Sequence, residues 1–221
     1  MSILQIRAAV KILIDLYRAF VHELPLAVRP CSCGHFFRHR HGGYSRWVVV
    51  GLWQERLFIL RLKCPRCKRT AALVPHFMPR HSPYPWILRQ EALFAYAEGN
   101  KGYRPTAAIW EVNWQTLWHW ARELARHLPA LTGALLQILL ASPSRASDNA
   151  LQALVQVVKE SHVPRTRAPT REVLQRYLAP ACAVALELWA AGTLRGLSWG
   201  APDPKNALAF LTAVANLPRP T

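Results

Sequence analysis

Cys31-Ser32-Cys33-Gly34 and, thirty residues later, Cys64-Pro65-Arg66-Cys67-Lys68 decide the reading of this chain. Zinc takes four ligands in a tetrahedron, and thiolates suit it. Two cysteine turns facing each other across a short hairpin supply that geometry. Between the pairs, Phe36, Phe37, Tyr44, Trp47, Val48, Val49 and Val50 favour a strand, and Leu57, Phe58, Ile59, Leu60 and Leu62 favour a second. His41-Gly42-Gly43 reads as a turn. A sheet this small buries too little surface to hold itself together, and metal binding supplies folding energy. The reading over residues 29–73 is therefore a small β zinc ribbon, with Cys31, Cys33, Cys64 and Cys67 as ligands to a structural Zn2+.

The Cys31 half has one spacer residue rather than two. His35, His39 and His41 therefore stand as alternatives for one cysteine at that half. The rival use of Cys64 and Cys67 is a redox pair, which sits in a strand–helix context that is absent here. Four thiolates leave no open position, so the metal is expected to be structural rather than catalytic. The fifth cysteine, Cys182, lies in an apolar Ala- and Leu-rich helix pattern and reads as a core residue.

Towards the N-terminus, residues 1–28 read as one amphipathic helix. Ile3, Ile6, Val10, Leu13, Tyr17, Phe20 and Leu24 alternate steps of three and four, a heptad seam. Such a seam packs on its own domain or on a second copy, so a homodimer through this helix is a candidate. No apolar run is long enough to span a bilayer, which takes about 18 residues. Arg7, Lys11 and Asp15 interrupt the start, so no secretory leader is expected. A cytoplasmic location follows as the expectation, where thiols stay reduced.

Towards the C-terminus, four prolines between Val74 and Pro85 predict an extended connector. A helix should start near Pro85 and stop at Gly99-Asn100. Two helices follow over 104–128, parted by a tight turn at Val112-Asn113. Ala107 and Ala108 allow close packing, and Asn113 can cap the second helix. Leu117, Trp120, Ala121 and Leu124 form one buried stripe. Trp114, Gln115, Trp118, His119 and Arg122 lie on or beside the other face. Beyond Pro129 helices are expected at about 130–141, 148–161, 170–192 and 204–216.

The 221-residue chain is 52% hydrophobic, enough for a real core, yet carries 28 Lys and Arg against 12 Asp and Glu, a formal charge of +16. That balance attracts polyanions, nucleic acid first. From Arg29 to Arg104 there are fourteen Lys or Arg and three acids, Glu55, Glu91 and Glu98. Arg38, Arg40, Arg46, Arg66, Lys68, Arg69, Lys101 and Arg104 are the expected DNA-binding cations, held against phosphate. No phosphate-gripping glycine loop and no nucleophile–base pair appears. The acids after the two helices (Glu123, Asp148, Glu160, Glu172, Glu187 and Asp203) fall in helical pattern rather than on a sheet. No catalytic centre is expected.

Val112-Asn113 followed by Thr116-Leu117-Trp118-His119-Trp120 resembles the helix-turn-helix of transposases, invertases and small repressors. Glu111 departs from that pattern, which has glycine there. The resemblance implies that the second helix enters the major groove, with Gln115 facing adenine, His119 and Arg122 near phosphate, and Trp114 and Trp118 at thymine methyls or against protein. As a whole, Cys33-Gly34, His41-Gly42-Gly43-Tyr44, Leu62-Lys63-Cys64-Pro65-Arg66-Cys67, Thr70, Leu73-Val74-Pro75 and Phe77 resemble a bacterial mobile-element family, domain of unknown function 6431, over about residues 30–125.

The fold expected is mainly α with a small β zinc ribbon. Its order is N-terminal helix (1–28), ribbon (29–73), connector and helix-turn-helix (74–128), and a C-terminal helical bundle (129–221). The function expected is that of a DNA-binding accessory protein of a mobile element, binding double-stranded DNA and recruiting a recombinase or transposase, with no membrane partner. The alternatives are a helix-turn-helix transcriptional regulator and a protein-interaction scaffold.

Overall fold

A computed structural model describes residues 1–23, 31–37, 39–141, 152, 155–156, 171–178 and 181. It shows an N-terminal helix, a three-strand antiparallel sheet carrying a four-cysteine cluster, and then several helices. The chain divides into two compact units between Arg89 and Gln90.

In the first unit, α1 spans Ile3–Glu23. Ser2 and Gln5 close its start reciprocally: the Gln5 N–H donates to Ser2 Oγ at 3.3 Å, and the Ser2 N–H to Gln5 Oε1 at 2.7 Å. That is a capping box, satisfying two N–H groups the helix leaves orphaned. The helix buries Ile6, Val10, Ile14 and Tyr17. At about 100° per residue these four fall within roughly 80° of arc, one face of a helix lying on a sheet. The expected seam held Leu13 and Phe20. Ile14 is buried in place of Leu13, and Phe20, about 80° off the centre of that face, is 49% exposed.

That face packs on strands β1 (His39–Val50) and β2 (Trp53–Lys63). The Tyr17 hydroxyl donates to the Leu73 carbonyl at 2.7 Å, and Arg7 Nε to the Val50 carbonyl at 3.2 Å. β1 and β2 form a hairpin in which Val50 faces Trp53, closed by Gly51-Leu52. Gly51, at φ 61°, stands where a two-residue turn of this kind wants glycine. β3 (Thr70–Ala72) pairs with the end of β2, giving the order β1-β2-β3.

His41-Gly42-Gly43 does not turn the chain. It lies inside β1, where the register with β2 shifts between Arg40 and Gly43. Gly42, at φ 64°, takes the left-handed conformation a bulge requires, so the local turn preference is absorbed as a bulge within a continuing strand. The proline-rich connector returns along the free edge of β1. The Val49 N–H donates to the Pro83 carbonyl at 2.9 Å, and Arg46 binds the Pro79 and Ser82 carbonyls. An edge that would otherwise offer unpaired N–H groups is thereby covered.

α2 spans Trp86–Glu98 as expected, with Pro85 before its first residue and Gly99 after its last. In the second unit, residues 171–178 are helical, and Arg171 and Gln175 donate to the Tyr96 and Ala97 carbonyls at 3.0 and 2.8 Å, satisfying the end of α2. α3 (Tyr103–Ile109) and α4 (Trp114–Ala141) follow. The break expected at Pro129 does not occur, since α4 runs through it. One lost backbone bond is outweighed where long runs of strong helix formers stand on both sides. The helices expected at 148–161, 170–192 and 204–216 lie largely outside the described residues, as does Cys182. No helix among the described residues is long and apolar enough to cross a membrane.

Candidate metal centre and helical pair

The two cysteine turns are built by their backbones. The Gly34 N–H donates to the Cys31 carbonyl and the Lys68 N–H to the Cys64 carbonyl, at 2.9 and 3.1 Å. Gly34 (φ 82°) and Lys68 (φ 60°) both take the left-handed conformation that turns the chain back. The Cys64 N–H reaches the Arg69 carbonyl, and the Cys31 N–H the His35 carbonyl. Beneath the turns lie Phe37, Leu60 and Leu62, with Val21, Ala71 and Leu73 packed around them.

The result brings Cys31, Cys33, Cys64 and Cys67 together, with all four Sγ atoms within 4.8 Å of one another. Cys31 to Cys67 is 3.4 Å and Cys33 to Cys64 is 3.5 Å. A disulfide needs about 2.05 Å, so all four are free thiols. A tetrahedral zinc with bonds of about 2.3 Å sets its sulfurs about 3.8 Å apart, so the four residues fit such an ion. His35, His39 and His41 are not part of the cluster. His35 instead faces Arg66, with Nδ1 3.4 Å from its guanidinium.

The thiols have been driven apart in acidity. Burial opposes ionisation of Cys64, but the N–H groups of Cys67 and Arg66, with the thiols of Cys33 and Cys67, bring it down to about 6. The Cys33 N–H lowers Cys31 in the same way, against burial. The Arg69 N–H favours a Cys67 thiolate, yet burial and the neighbouring Cys31, Cys64 and Cys33 push it up to about 11. One negative charge is welcome in this cluster and several repel. A dication removes the conflict, because metal ligation is what holds clustered thiolates ionised. The cluster can thus hold a metal ion such as zinc.

The cations of the first unit divide into two groups. Arg40 is tied to the Val21 and His22 carbonyls at the end of α1. Arg46 is half-buried, and burial lowers its pKa from the ordinary arginine value. Both guanidiniums therefore serve the fold. Arg66, Lys68 and Arg69 are exposed around the Cys64 turn, Arg69 also donating to Ser32 Oγ at 2.9 Å. Arg38 lies outside the described residues.

In the second unit α3 ends in a tight cap. The Glu111 N–H donates to the Ala108 carbonyl, and the Val112 N–H to the Ala107 carbonyl. This is the Schellman pairing, with Glu111 at φ 49° in the place usually held by glycine. Asn113 then opens α4, its Oδ1 accepting from the Gln115 N–H at 2.8 Å. Thr106, Ala107, Trp110, Leu117, Trp120, Ala121 and Leu124 are buried. Gln115, His119 and Arg122 are exposed, and so are Lys101 and Arg104.

Trp114 and Trp118 are 39% and 37% exposed, neither free nor in the core. The Arg104 guanidinium lies 5.5 Å from the Trp114 ring centroid and that of Arg122 4.6 Å from Trp118. Each is a cation–π pair that turns an aromatic face into a positive one. The sequence reading missed these pairs, although Trp118 and Arg122 stand at the helical i,i+4 spacing that brings side chains together. Comparison with known proteins finds no matching family model, curated protein or solved structure.

Proposed function

We propose that this chain is a DNA-binding accessory protein of a mobile element, with a structural zinc in the four-cysteine cluster and a helix-turn-helix in α3 and α4. The observation that carries the reading is the exposed face of α4. Gln115, Trp118, His119 and Arg122 stand out from a helix whose opposite stripe is buried, on a tight turn that begins a helix at Asn113. A helix so presented reads base edges with the side chains of its first turns. Gln115 is the residue for adenine, while Lys101, Arg104 and Arg122 provide phosphate contact. Arg66, Lys68 and Arg69 offer a second cationic patch on the ribbon.

The link to transposition rests on the resemblance to mobile-element zinc-ribbon proteins. In this reading the chain marks an element end or a target site and recruits a recombinase, and performs no chemistry itself. The test is selection from a random duplex library, followed by binding measurements with variants. Gln115→Ala should relax sequence preference while Arg66→Ala weakens all sequences alike. Failure to bind any duplex in dilute salt would overturn the reading.

A dimeric transcriptional regulator is the second reading. It is favoured by the outward row Ile12, Leu16 and Phe20 on α1, each about half exposed or more. A dimer in solution and a palindromic selected site would favour it over the accessory role.

A further inference from the structure

At its hairpin end the sheet has one face covered and one face open, while nearer the cysteine turns the open side closes over Leu60 and Leu62. Trp53, Glu55 and Leu57 alternate onto the same side as Val48 and Val50, by the pairings Val48 with Glu55 and Val50 with Trp53. α1 lies on that side. Arg18 binds Glu55 at 2.6 Å, and Lys11 stands 5.6 Å from the Trp53 ring. The opposite side of the same strands carries Ser45, Trp47, Gln54, Arg56 and Phe58, all exposed.

Two large rings stand on this open face, Trp47 at 46% and Phe58 at 51% exposure. They are diagonal neighbours, since Trp47 faces Arg56 and Ser45 faces Phe58. Diagonal positions across a strand pair are about 7–8 Å apart. Arg56 lies 5.2 Å from the Trp47 ring centroid. The Phe58 ring lies over Gly43, whose missing side chain leaves it room. The sheet's own charge is one-sided. Of the cations on β1 and β2, Arg56 stands beside the two rings on the open side, and the strands' single acid, Glu55, is turned to the other side and paired.

We propose that this open face is a stacking surface for the unpaired bases of single-stranded nucleic acid. Exposed rings at neighbouring positions of the strand pair offer flat apolar surfaces to bases, and the Arg56 guanidinium beside them meets a phosphate. Ser45 and Gln54 add hydrogen-bonding groups at the rim. A duplex has no use for the rings, because its bases are already stacked and a flat sheet meets only its backbone. An apolar protein partner would leave the Arg56 guanidinium without an anion to meet, which a phosphate provides. The face belongs to the first unit, and the duplex-reading helix α4 proposed above belongs to the second.

The test uses the full zinc-loaded chain and fluorescence anisotropy with two probes, an oligothymidylate of about twelve nucleotides and a hairpin duplex. Trp47→Ala and Phe58→Ala should each weaken the single strand about 10-fold, the scale of losing one stacked base, and change duplex affinity less than about 2-fold. Trp47→Phe, which keeps a ring, should stay near the parent chain, and Arg56→Gln should weaken the single strand. Zinc content and thermal unfolding report whether each variant folds. If the alanine variants fail to fold, Trp47→Phe and Arg56→Gln decide.

Three results would overturn the proposal: no binding of the oligothymidylate by the parent chain, unchanged binding by the ring variants, or equal loss on both probes. Loss of self-association with intact oligonucleotide binding would assign the face to protein instead. A parent chain that binds the duplex but not the single strand rejects this proposal and leaves the duplex reading standing. A chain that binds neither rejects both.

Discussion

The N–H of Val112 donates to the carbonyl of Ala107 at 3.0 Å, and it does so across Glu111, which stands at φ 49°. An L-residue in the left-handed region sets its Cβ against its own carbonyl, at roughly 1–2 kcal/mol. Glycine avoids that strain but gains entropy in the unfolded chain. Glu111→Gly should therefore stabilise the second unit by about 1 kcal/mol net. Denaturant unfolding followed through the helical signal measures it. A destabilised variant would mean that the Glu111 side chain contributes more than its backbone strain removes.

Asn113 holds the next helix from the other side of the turn. Its Oδ1 accepts the Gln115 N–H, one of the orphan donors at the start of α4. Asn113→Ala should destabilise by about 1 kcal/mol, and Asn113→Asp or Asn113→Ser should be close to neutral. If Gln115 reads bases, the alanine variant should also lose sequence preference, because its first turn frays. Equal stability of all three variants would show that the cap is not what starts the helix.

The cysteine cluster and the α3–α4 pair were legible in the sequence because each is written locally. Cys64-Pro65-Arg66-Cys67 makes its own turn, and Asn113 caps a helix two residues away. What was not legible depended on distant partners. The turn preference of His41-Gly42-Gly43 is real, but ten paired positions between β1 and β2 override it and leave a bulge. Gly51-Leu52 carries only a single glycine, a weak turn signal, yet it closes the hairpin. Leu13 and Phe20 fit the heptad and Ile14 does not, and only the presence of a sheet beneath α1 selects Ile14 for burial. Arg40 and Arg46 look like phosphate ligands in sequence, and their carbonyl partners are contributed by residues far along the chain.

The two neighbouring glycines of the bulge should respond differently to a methyl group. A Cβ on Gly43 would meet Phe58 Cζ at 2.3 Å and the Ile59 carbonyl oxygen at 2.4 Å. The Phe58 ring can move aside, but the backbone oxygen is held in the ladder. A Cβ on Gly42 would meet nothing within 4 Å, leaving only the strain of its φ of 64°. Gly42→Ala should destabilise by about 1 kcal/mol. Gly43→Ala should cost about 2 kcal/mol or more, and it should disturb the β1–β2 register in amide exchange. The opposite order would mean that the bulge, not the close approach, limits this strand.

Tyr17 makes the first unit sensitive to alkali. Burial raises its phenol above the ordinary tyrosine value, and its hydroxyl must stay protonated to donate to Leu73. A raised folded pKa means the folded chain holds the proton more tightly than the unfolded one. That stability is fully present below about pH 10 and is lost as pH rises through the folded value. Tyr17→Phe should cost about 1 kcal/mol at pH 8, and less as the parent ionises. Urea midpoints of the zinc-loaded parent and variant, compared at pH 8 and near pH 11, should converge. A constant gap would show that Tyr17 contributes through packing alone.

A metal ion held by the four-cysteine cluster would support the first unit, and its removal should act on that unit first. The sheet is small, and its cluster end is held by four thiols whose ionised forms repel one another. Chelation at neutral pH should therefore leave the Cys31 and Cys64 turns without a reason to meet, and amide protection along β2 and β3 should fall. Cys64→Ala should do the same without a chelator. It removes the most readily ionised thiol and leaves three sulfurs for an ion that wants four. Zinc bound after dialysis should drop from about one ion per chain to well below half, whereas Cys182→Ala, which leaves Cys31, Cys33, Cys64 and Cys67 in place, should retain it. Acid should release the metal too, because protons compete for the thiolates. A Cys64→Ala chain that keeps full zinc would reject the four-thiolate site. One that loses zinc but keeps its strand protection would show that Phe37, Leu60 and Leu62 hold the sheet without the ion.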